Sequence, residues 1–246
     1  MHAFVLQGIM ETKLWLRRRE TVFFSLLLPV MFLGFFGALY GSQTVAGTHT
    51  TYISYLVPGY AVFATMAVAL GTVCTTLANE RHTHVLKRLA GTPLPRVSII
   101  GAKILAGSVL IAGVIAVLIL TGTLVYGAHI RGSIPAGILI LVVGILSFAG
   151  MGILLGGTVK PDSSVAVANL VYLAFSFLGG VFVPLNQFPT GLRNVATLLP
   201  SERMADALQA VWTKGEGLGS TGLDLPVVIA WGLASLLVAA RLFRWE

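Results

Sequence analysis

The chain has 246 residues with a mean hydropathy of +0.90, and 56% of its residues are hydrophobic but only 10% are charged. A soluble domain carries about 25% charged residues. This composition therefore excludes a soluble globular protein and predicts an integral membrane protein. The net charge of +7 does not indicate nucleic-acid binding, because the basic residues occur in short clusters between apolar runs.

Six apolar segments are each long enough to cross about 30 Å of hydrocarbon as a helix. They are residues 22–40, 55–78, 97–126, 134–158, 165–183 and 225–240. The first is longer than the apolar core of a cleaved signal peptide, so we interpret it as a retained anchor. Lys103 lies within the third segment but is counted with the basic cluster that precedes it. We therefore expect no charged residue at depth in the membrane.

Lysine and arginine are distributed unequally between the two sides of such a six-span chain. The N-terminal segment, the second and fourth connections and the C-terminal end together hold twelve, whereas the other side holds four. Cytoplasmic flanks are enriched in these residues. The sequence thus predicts a multi-pass protein of the cell (plasma or inner) membrane with both termini in the cytoplasm.

Two segments outside the spans have helical spacing of apolar residues. Residues 1–20 suit an amphipathic helix in the cytoplasmic interface with Trp15 at headgroup depth, although a plain positively charged flank is the alternative. Residues 184–224 form an external stretch with two predicted short helices, at 190–199 and 201–212. We expect these to dip into the outer leaflet or to cap the bundle. The remaining chain, residues 21–246, forms the six-span domain.

Sequence patterns for enzyme chemistry are missing from the chain. It contains no G-x-x-x-x-G-K-[ST], H-E-x-x-H or G-x-S-x-G pattern, and His82 and His84 are too close in sequence to share a helix face. We expect no catalytic, cofactor or metal site. A transporter without buried charges would take its energy from outside the membrane domain. A passive channel or ion-coupled carrier is the alternative, and a membrane-embedded enzyme is less favoured.

The second connection, residues 79–96, contains a short predicted helix. Val85, Leu86 and Leu89 fall on one helix face, and Lys87 and Arg88 point away from it. Glycine and proline then end the helix. An exposed helix with an apolar ridge suits a groove on a partner protein or the lipid headgroups. These residues alone leave both interpretations open.

This connection resembles the coupling loop of type-2 ABC transporter permeases, the membrane subunits of drug, antibiotic, polysaccharide and lipid exporters. The matching residues are Glu80-Arg81, Leu86-Lys87-Arg88-Leu89 and Thr92-Pro93-Leu94-Pro95. Further matches are a first span with Pro29, Phe182-Val183-Pro184-Leu185 after the fifth span, and Leu199-Pro200 before the second external helix. The family often has a Gly-Thr-like pair where this chain has His84-Val85. In size, the chain most resembles the small daunorubicin-resistance or multidrug export permeases.

The resemblance implies an all-α fold of six transmembrane helices with an N-terminal interfacial helix, a cytoplasmic coupling helix and two short external helices. It also implies an ATP-driven exporter of a hydrophobic or amphipathic compound, in which a second permease copy or paralogue completes a dimer. ATP and Mg would be bound by separate ATPase subunits. Leu86 and Leu89 would be apolar anchors in the ATPase cleft, with rim contacts from Glu80, Arg81, Lys87 and Arg88.

Family precedent places the substrate path along the first, second and fifth spans. Seven apolar side chains there would line it: Phe32, Phe35, Phe36, Phe63, Met66, Phe175 and Phe177. The alternative is that these side chains face lipid or pack within the bundle. Gly152 and Gly156, four residues apart in the fourth span, predict close packing of two helices.

Overall fold

The computed structural model describes residues 2–45, 50–92 and 95–243, and within these ranges the regular structure is helical. An isolated bridge joins Thr44 and Thr51. The helices are α1 (His2–Arg17), α2 (Arg19–Tyr40), α3 (Tyr52–Met66), α4 (Val73–His82), α5 (Val85–Ala90), α6 (Arg96–Leu120), α7 (Ile134–Thr158), α8 (Pro161–Leu178), α9 (Thr190–Ala196), α10 (Pro200–Trp212) and α11 (Asp224–Leu242). A wide π-type turn over Ala67–Thr72 joins α3 to α4, and another over Thr121–Val125 extends α6.

Six helical segments of the described chain are long and apolar enough to cross a membrane, which confirms the predicted fold class. They are Val22–Tyr40, Tyr52–His82, Val97–Val125, Ile134–Thr158, Pro161–Leu178 and Asp224–Leu242. The second and fifth spans differ from the predicted bounds by three to five residues at each end, and the third and sixth by one or two. The second span continues past its apolar run, because charged residues at its end find partners inside the protein. The fifth ends at Leu178, because Gly180 turns the chain with a φ of +65°.

The second and fourth spans form the centre of the bundle. In their most apolar 18-residue windows, 83% and 61% of the residues are buried, against 17% in the first and fifth spans. A side-chain carbon at Gly152 would lie 2.8 Å from the carbonyl oxygens of Ala69 and Leu70. One at Gly156 would lie 2.8 Å from the carbonyl oxygen of Cys74. The close helix packing expected at the two glycines is confirmed.

The N-terminal helix α1 packs one of its faces against α6. The ring of Phe4 covers Gly101, and the indole of Trp15 covers Gly107. Trp15 is only 1% exposed. The third span thus covers the Trp15 ring, while Leu6, Met10 and Leu14 on another face of α1 are exposed; the interfacial position of the helix stays a prediction.

At the other end of the bundle, α9 and α10 form the two expected short helices. α10 is buried along most of its length and lies over α3, α7 and α11. Just beyond its end, the Thr213 hydroxyl donates a hydrogen bond to the carbonyl oxygen of Ser54, at 2.9 Å. The amide of Arg131 donates one to the carbonyl oxygen of Trp212, also at 2.9 Å. α10 thus caps this end of the bundle, which we call the capped end.

Candidate coupling site and substrate path

The second connection leaves the bundle at the end opposite the capped end, which we call the basic end. Glu80, near the end of α4, accepts a hydrogen bond from the Lys103 ammonium at 2.6 Å. The same ammonium lies 2.8 Å from Glu11 of α1. Arg18 is close enough to act electrostatically on Glu80. One buried lysine thereby ties the start of the connection to the third span and the N-terminal helix.

Lys103 overturns the expectation that the spans carry no charge at depth. It lies seven residues into α6, or about 10 Å along the helix axis, and is 1% exposed. A lysine can be accommodated there because two carboxylates face it, since buried charges require paired and hydrogen-bonded partners. The sequence contained the signal, a single lysine inside an apolar run, which by default marks a functional or structural ion pair.

Arg81 fixes the connection to the fourth span. Its guanidinium donates to the carbonyl oxygens of Gly157 and Val159, the latter at 2.6 Å. These carbonyls belong to the end of α7, where the last acceptors of a helix have no partner within the helix. A cation at a helix C-terminus also interacts favourably with the helix dipole. Glu80 and Arg81, expected at the rim of a partner, thus make contacts within this chain.

A sharp turn separates α4 from the short helix α5. His84 has a φ of +56°, and is the non-glycine residue with a positive φ in the described chain. This left-handed conformation favours glycine, although histidine adopts it more readily than most side chains. The turn at His84 is thus formed without the glycine that the family resemblance led us to expect there. The departure seen in the sequence leaves the turn intact.

The helix α5 places its apolar face toward its own bundle. Leu86 is 1% exposed and Leu89 is half-buried against the core, whereas Lys87 and Arg88 are exposed. This arrangement differs from the expected one, in which Leu86 and Leu89 reach into a partner. Burial of the leucines stabilises the helix against the bundle and turns its basic face outward. In the matched Thr92-Pro93-Leu94-Pro95 segment, Pro93 and Leu94 lie outside the described residues.

Three of the seven proposed path residues belong to an aromatic cluster centred on Phe182. The Phe182 ring centroid lies 6.0 Å from that of Phe32, 5.3 Å from Phe63 and 5.2 Å from Phe177. Tyr60 joins at 5.5 Å. These are ordinary distances for packed aromatic pairs. Sequence reasoning noted Phe182 only as part of a motif, although it connects the first, second and fifth spans.

The other four path candidates lie apart from this centre. The ring centroids of Phe36 and Phe32 are 6.4 Å apart, and those of Phe35 and Phe36 are 5.3 Å apart. The Phe35 side chain is 59% exposed. Met66 is fully buried in the second span. Phe175 instead packs against Trp231 of the sixth span, at 6.1 Å. The structure therefore brings together Phe32, Phe63 and Phe177, with Phe36 at the edge, and leaves Phe175 on a different surface.

The fold is a six-span helical bundle with a short helix packed at its basic end, and sequence comparison identifies the family. The sequence model described as ABC-2 type transporter matches residues 6–212. The chain therefore belongs to the ABC-2 type transporter family, as its coupling loop suggested. It is the transmembrane subunit of an ABC transporter, a role that implies an ABC ATPase subunit as partner.

Individual relatives agree with this assignment. The chain is 24% identical over 240 residues to YvfS of Bacillus subtilis (strain 168), named as a transport permease, with 97% of this chain and 96% of the relative covered. It is 30% identical over 195 residues to DrrC of Mycobacterium tuberculosis, named as a doxorubicin resistance ABC transporter permease protein, with 76% and 69% covered. YbhS of Escherichia coli (strain K12), named as a multidrug ABC transporter permease, is 25% identical, and the match covers 77% of this chain but 48% of YbhS.

Proposed function

We propose that this chain is the permease of an ATP-driven exporter that moves a hydrophobic or amphipathic compound, such as a drug, antibiotic, lipid or glycolipid, out of the cell. A separate ATPase subunit binds ATP and Mg and drives alternating access. The observation that carries the proposal is the rigid attachment of residues 80–91 to three different spans. A rigid connection transmits a push from outside the membrane into the bundle, as rigid-body switching requires.

The basic face of α5 is the ATPase contact in this proposal. Lys87 and Arg88 are exposed, whereas Leu86 holds the helix on the bundle. An ATPase surface with acidic residues would pair with the two cations, and such complementarity speeds association and selects the partner. Leu89, half-buried, would close the edge of the contact. Glu80 and Arg81 would pass the movement on to the third and fourth spans.

The exporter would work as a dimer of permeases, each on an ATPase subunit. The exposed rings of Phe35 and Phe177 lie on the first and fifth spans, which are the spans with the least burial within this chain. A second copy against these spans would enclose a path beside the aromatic cluster around Phe182. Aromatic and apolar surfaces suit the proposed cargo. Resemblance to relatives named for multidrug and doxorubicin resistance supports this cargo class.

The orientation follows from the distribution of positive charge. The basic end holds the N-terminal helix and the coupling loop, and twelve of the sixteen lysines and arginines of the sequence belong to segments on that side. Cytoplasmic loops carry this excess. The basic end would therefore face the cytoplasm, where ATP is available, and the capped end would face outward.

The decisive experiment measures ATPase activity in proteoliposomes that contain this chain and its ATPase subunit. The double variant Lys87→Glu, Arg88→Glu should insert and dimerise normally but lower permease-stimulated ATP hydrolysis by about tenfold or more, because two like-charge contacts replace two favourable ones. The matched control is Lys214→Glu, a charge reversal at an exposed residue of the capped end, which should leave stimulation unchanged.

Two outcomes would contradict the proposal. Full stimulation in the double variant would remove α5 as the ATPase contact. Uphill accumulation of a solute by the permease alone, without any ATPase, would instead favour the ion-coupled carrier.

A further inference from the structure

A cavity of about 340 Å³ lies at the basic end, between the junction of α1 with α2, the end of α4 and the start of α8. Arg18, Asn79 and His82 line it with exposed side chains, whereas Thr76 and Ser164 line it from within the bundle. This lining includes a guanidinium, a side-chain amide and an imidazole, all of which can donate hydrogen bonds. Small-molecule sites enclose roughly 300–1,000 Å³. The cavity therefore suits one polar group rather than a whole drug-sized compound.

Thr76 is a buried polar side chain that opens into this cavity. The residue is only 4% exposed and belongs to the lining. The neighbouring Thr75 hydroxyl donates to the carbonyl oxygens of Gly71 and Thr72, at 3.1 and 3.2 Å, as helical threonines can do. The Thr76 hydroxyl makes no hydrogen bond within the described chain, and it is not one of the unpaired atoms that are closed off from solvent. Its donor is therefore available to a group held in the cavity.

The charges around the cavity favour an anion. The Arg18 guanidinium has the fork geometry that matches a phosphate, and exposed Lys160 directly precedes α8. α8 begins here at Pro161, and no side chain caps its first turn, so the positive end of its dipole faces the same region. Asp162 also lines the cavity and has the opposing charge. The sign of the preferred ligand can thus be tested from both directions.

Polar side chains continue from this cavity toward the aromatic cluster. The second span is almost enclosed, but Thr72, Thr75 and Asn79 remain partly or fully exposed in its basic half, at helical spacing. Tyr172 of the fifth span follows, and its ring centroid lies 5.6 Å from that of Phe63 in the cluster. Polar groups at membrane depth face a cavity rather than lipid. The cleft between these two spans is therefore hydrophilic toward the basic end and aromatic toward the capped end.

We propose that the cavity holds a phosphate-type anion as the polar head of the cargo, whose apolar part extends toward the aromatic cluster. Thr76 and Phe63 are thirteen residues apart on the second span, or about 20 Å along the helix axis. A phosphate head with one long acyl chain can span this distance. The inference rests on the proposed function, because it narrows the cargo from a hydrophobic or amphipathic compound to an acidic amphiphile.

The test titrates the full chain, in dodecyl maltoside micelles free of phosphate, with oleoyl lysophosphatidic acid and follows its thermal stability. Monooleoylglycerol, which lacks only the phosphate, is the matched ligand and should bind about tenfold more weakly or less. Arg18→Gln should lower the affinity for lysophosphatidic acid about tenfold, because a charge-assisted contact is lost. Arg17→Gln removes an exposed charge that does not line the cavity, and this control should bind like the unmodified chain.

Two further variants distinguish an anion site from a general loss of structure. Thr76→Val keeps the shape of the side chain but removes the free donor, so it should weaken binding several-fold. Asp162→Asn should strengthen binding, because it removes the opposing charge from the lining. Equal affinity for the two lipids would overturn the proposal, as would weaker binding in Asp162→Asn.

Glycerol 3-phosphate separates a lipid-like head from a free phosphate. Much weaker competition than by lysophosphatidic acid is expected, because the apolar chain contributes to binding in the cleft. Equal competition would overturn the assignment of the cavity to an amphipathic cargo. No ATPase is present in this measurement, so its failure would leave the ATPase contact at α5 standing, and loss of that contact would leave this binding unchanged.

Discussion

Two buried ion pairs at the basic end share Lys103. It lies between Glu11 and Glu80 at 2.8 and 2.6 Å, and all three side chains are largely removed from solvent. The attraction within such a cluster is strong in a low dielectric but must offset the cost of taking each charge out of water. The cluster therefore contributes less net stability than its short distances suggest, while any one deletion leaves an uncompensated charge.

Replacement of Lys103 by methionine should show this asymmetry. We expect Lys103→Met to lower the free energy of unfolding by about 3–5 kcal/mol, because two buried carboxylates lose their shared partner. The triple variant Lys103→Met, Glu11→Gln, Glu80→Gln should recover most of that loss. Denaturant-induced unfolding in detergent micelles measures both. A triple variant no more stable than the single one would show that the lysine acts by packing rather than by charge.

At the scale of the helix, the two glycines of α7 decide how closely the central spans approach. Gly152→Ala should lower the free energy of unfolding by about 1–3 kcal/mol, because the added carbon would lie 2.8 Å from two carbonyl oxygens of the second span. Gly113→Ala in the third span is the matched control, since nothing beyond its own stretch of helix lies within 4 Å of the added carbon. It should have no cost or a small gain. Thermal unfolding of both in one detergent makes the comparison, and equal midpoints would contradict the packing argument.

The short helices show where local pattern stops being informative. For α5, the spacing of Leu86 and Leu89 predicted an apolar ridge, but the ridge faces its own bundle because His84 turns the chain back. For α1, amphipathic spacing predicted a helix in the membrane interface, but it did not reveal that Trp15 packs over Gly107 of the third span. An apolar face specifies that something must cover it. Which surface covers it depends on residues far away in the sequence.

At the scale of the whole molecule, the first and fifth spans have little burial within one chain, whereas the second is almost enclosed. The aromatic cluster around Phe182 opens toward this side through the exposed rings of Phe35 and Phe177. In lipid such a surface needs no partner, since helix association there rests on packing and hydrogen bonds. Exposure of these two spans therefore does not by itself require a dimer, and the proposed contact between copies needs a direct test.

Disulfide cross-linking tests the dimer directly. Cys74 is the only cysteine and is buried, so Phe177→Cys in a Cys74→Ala background introduces a single reactive thiol. We expect oxidation in native membranes to give a cross-linked dimer, because the fifth spans of two copies would face each other. Leu237→Cys, on the sixth span and 69% exposed against 61% for Phe177, should remain monomeric. Cross-linking from Leu237→Cys but not Phe177→Cys would place the second copy elsewhere.

The sequence by itself determined the membrane class, the number of spans and their bounds to within about five residues, because continuous apolar runs can be satisfied only as helices in lipid. It also located the short helix of the second connection and the glycine contact of the fourth span. Only the tertiary structure decided the partners of Lys103, the inward face of α5 and the cavity at Thr76. Each of these depends on pairs of residues tens of positions apart, such as Glu11 with Lys103 or Arg81 with Gly157. Such pairs leave no local pattern, since packing between helices alone brings them together.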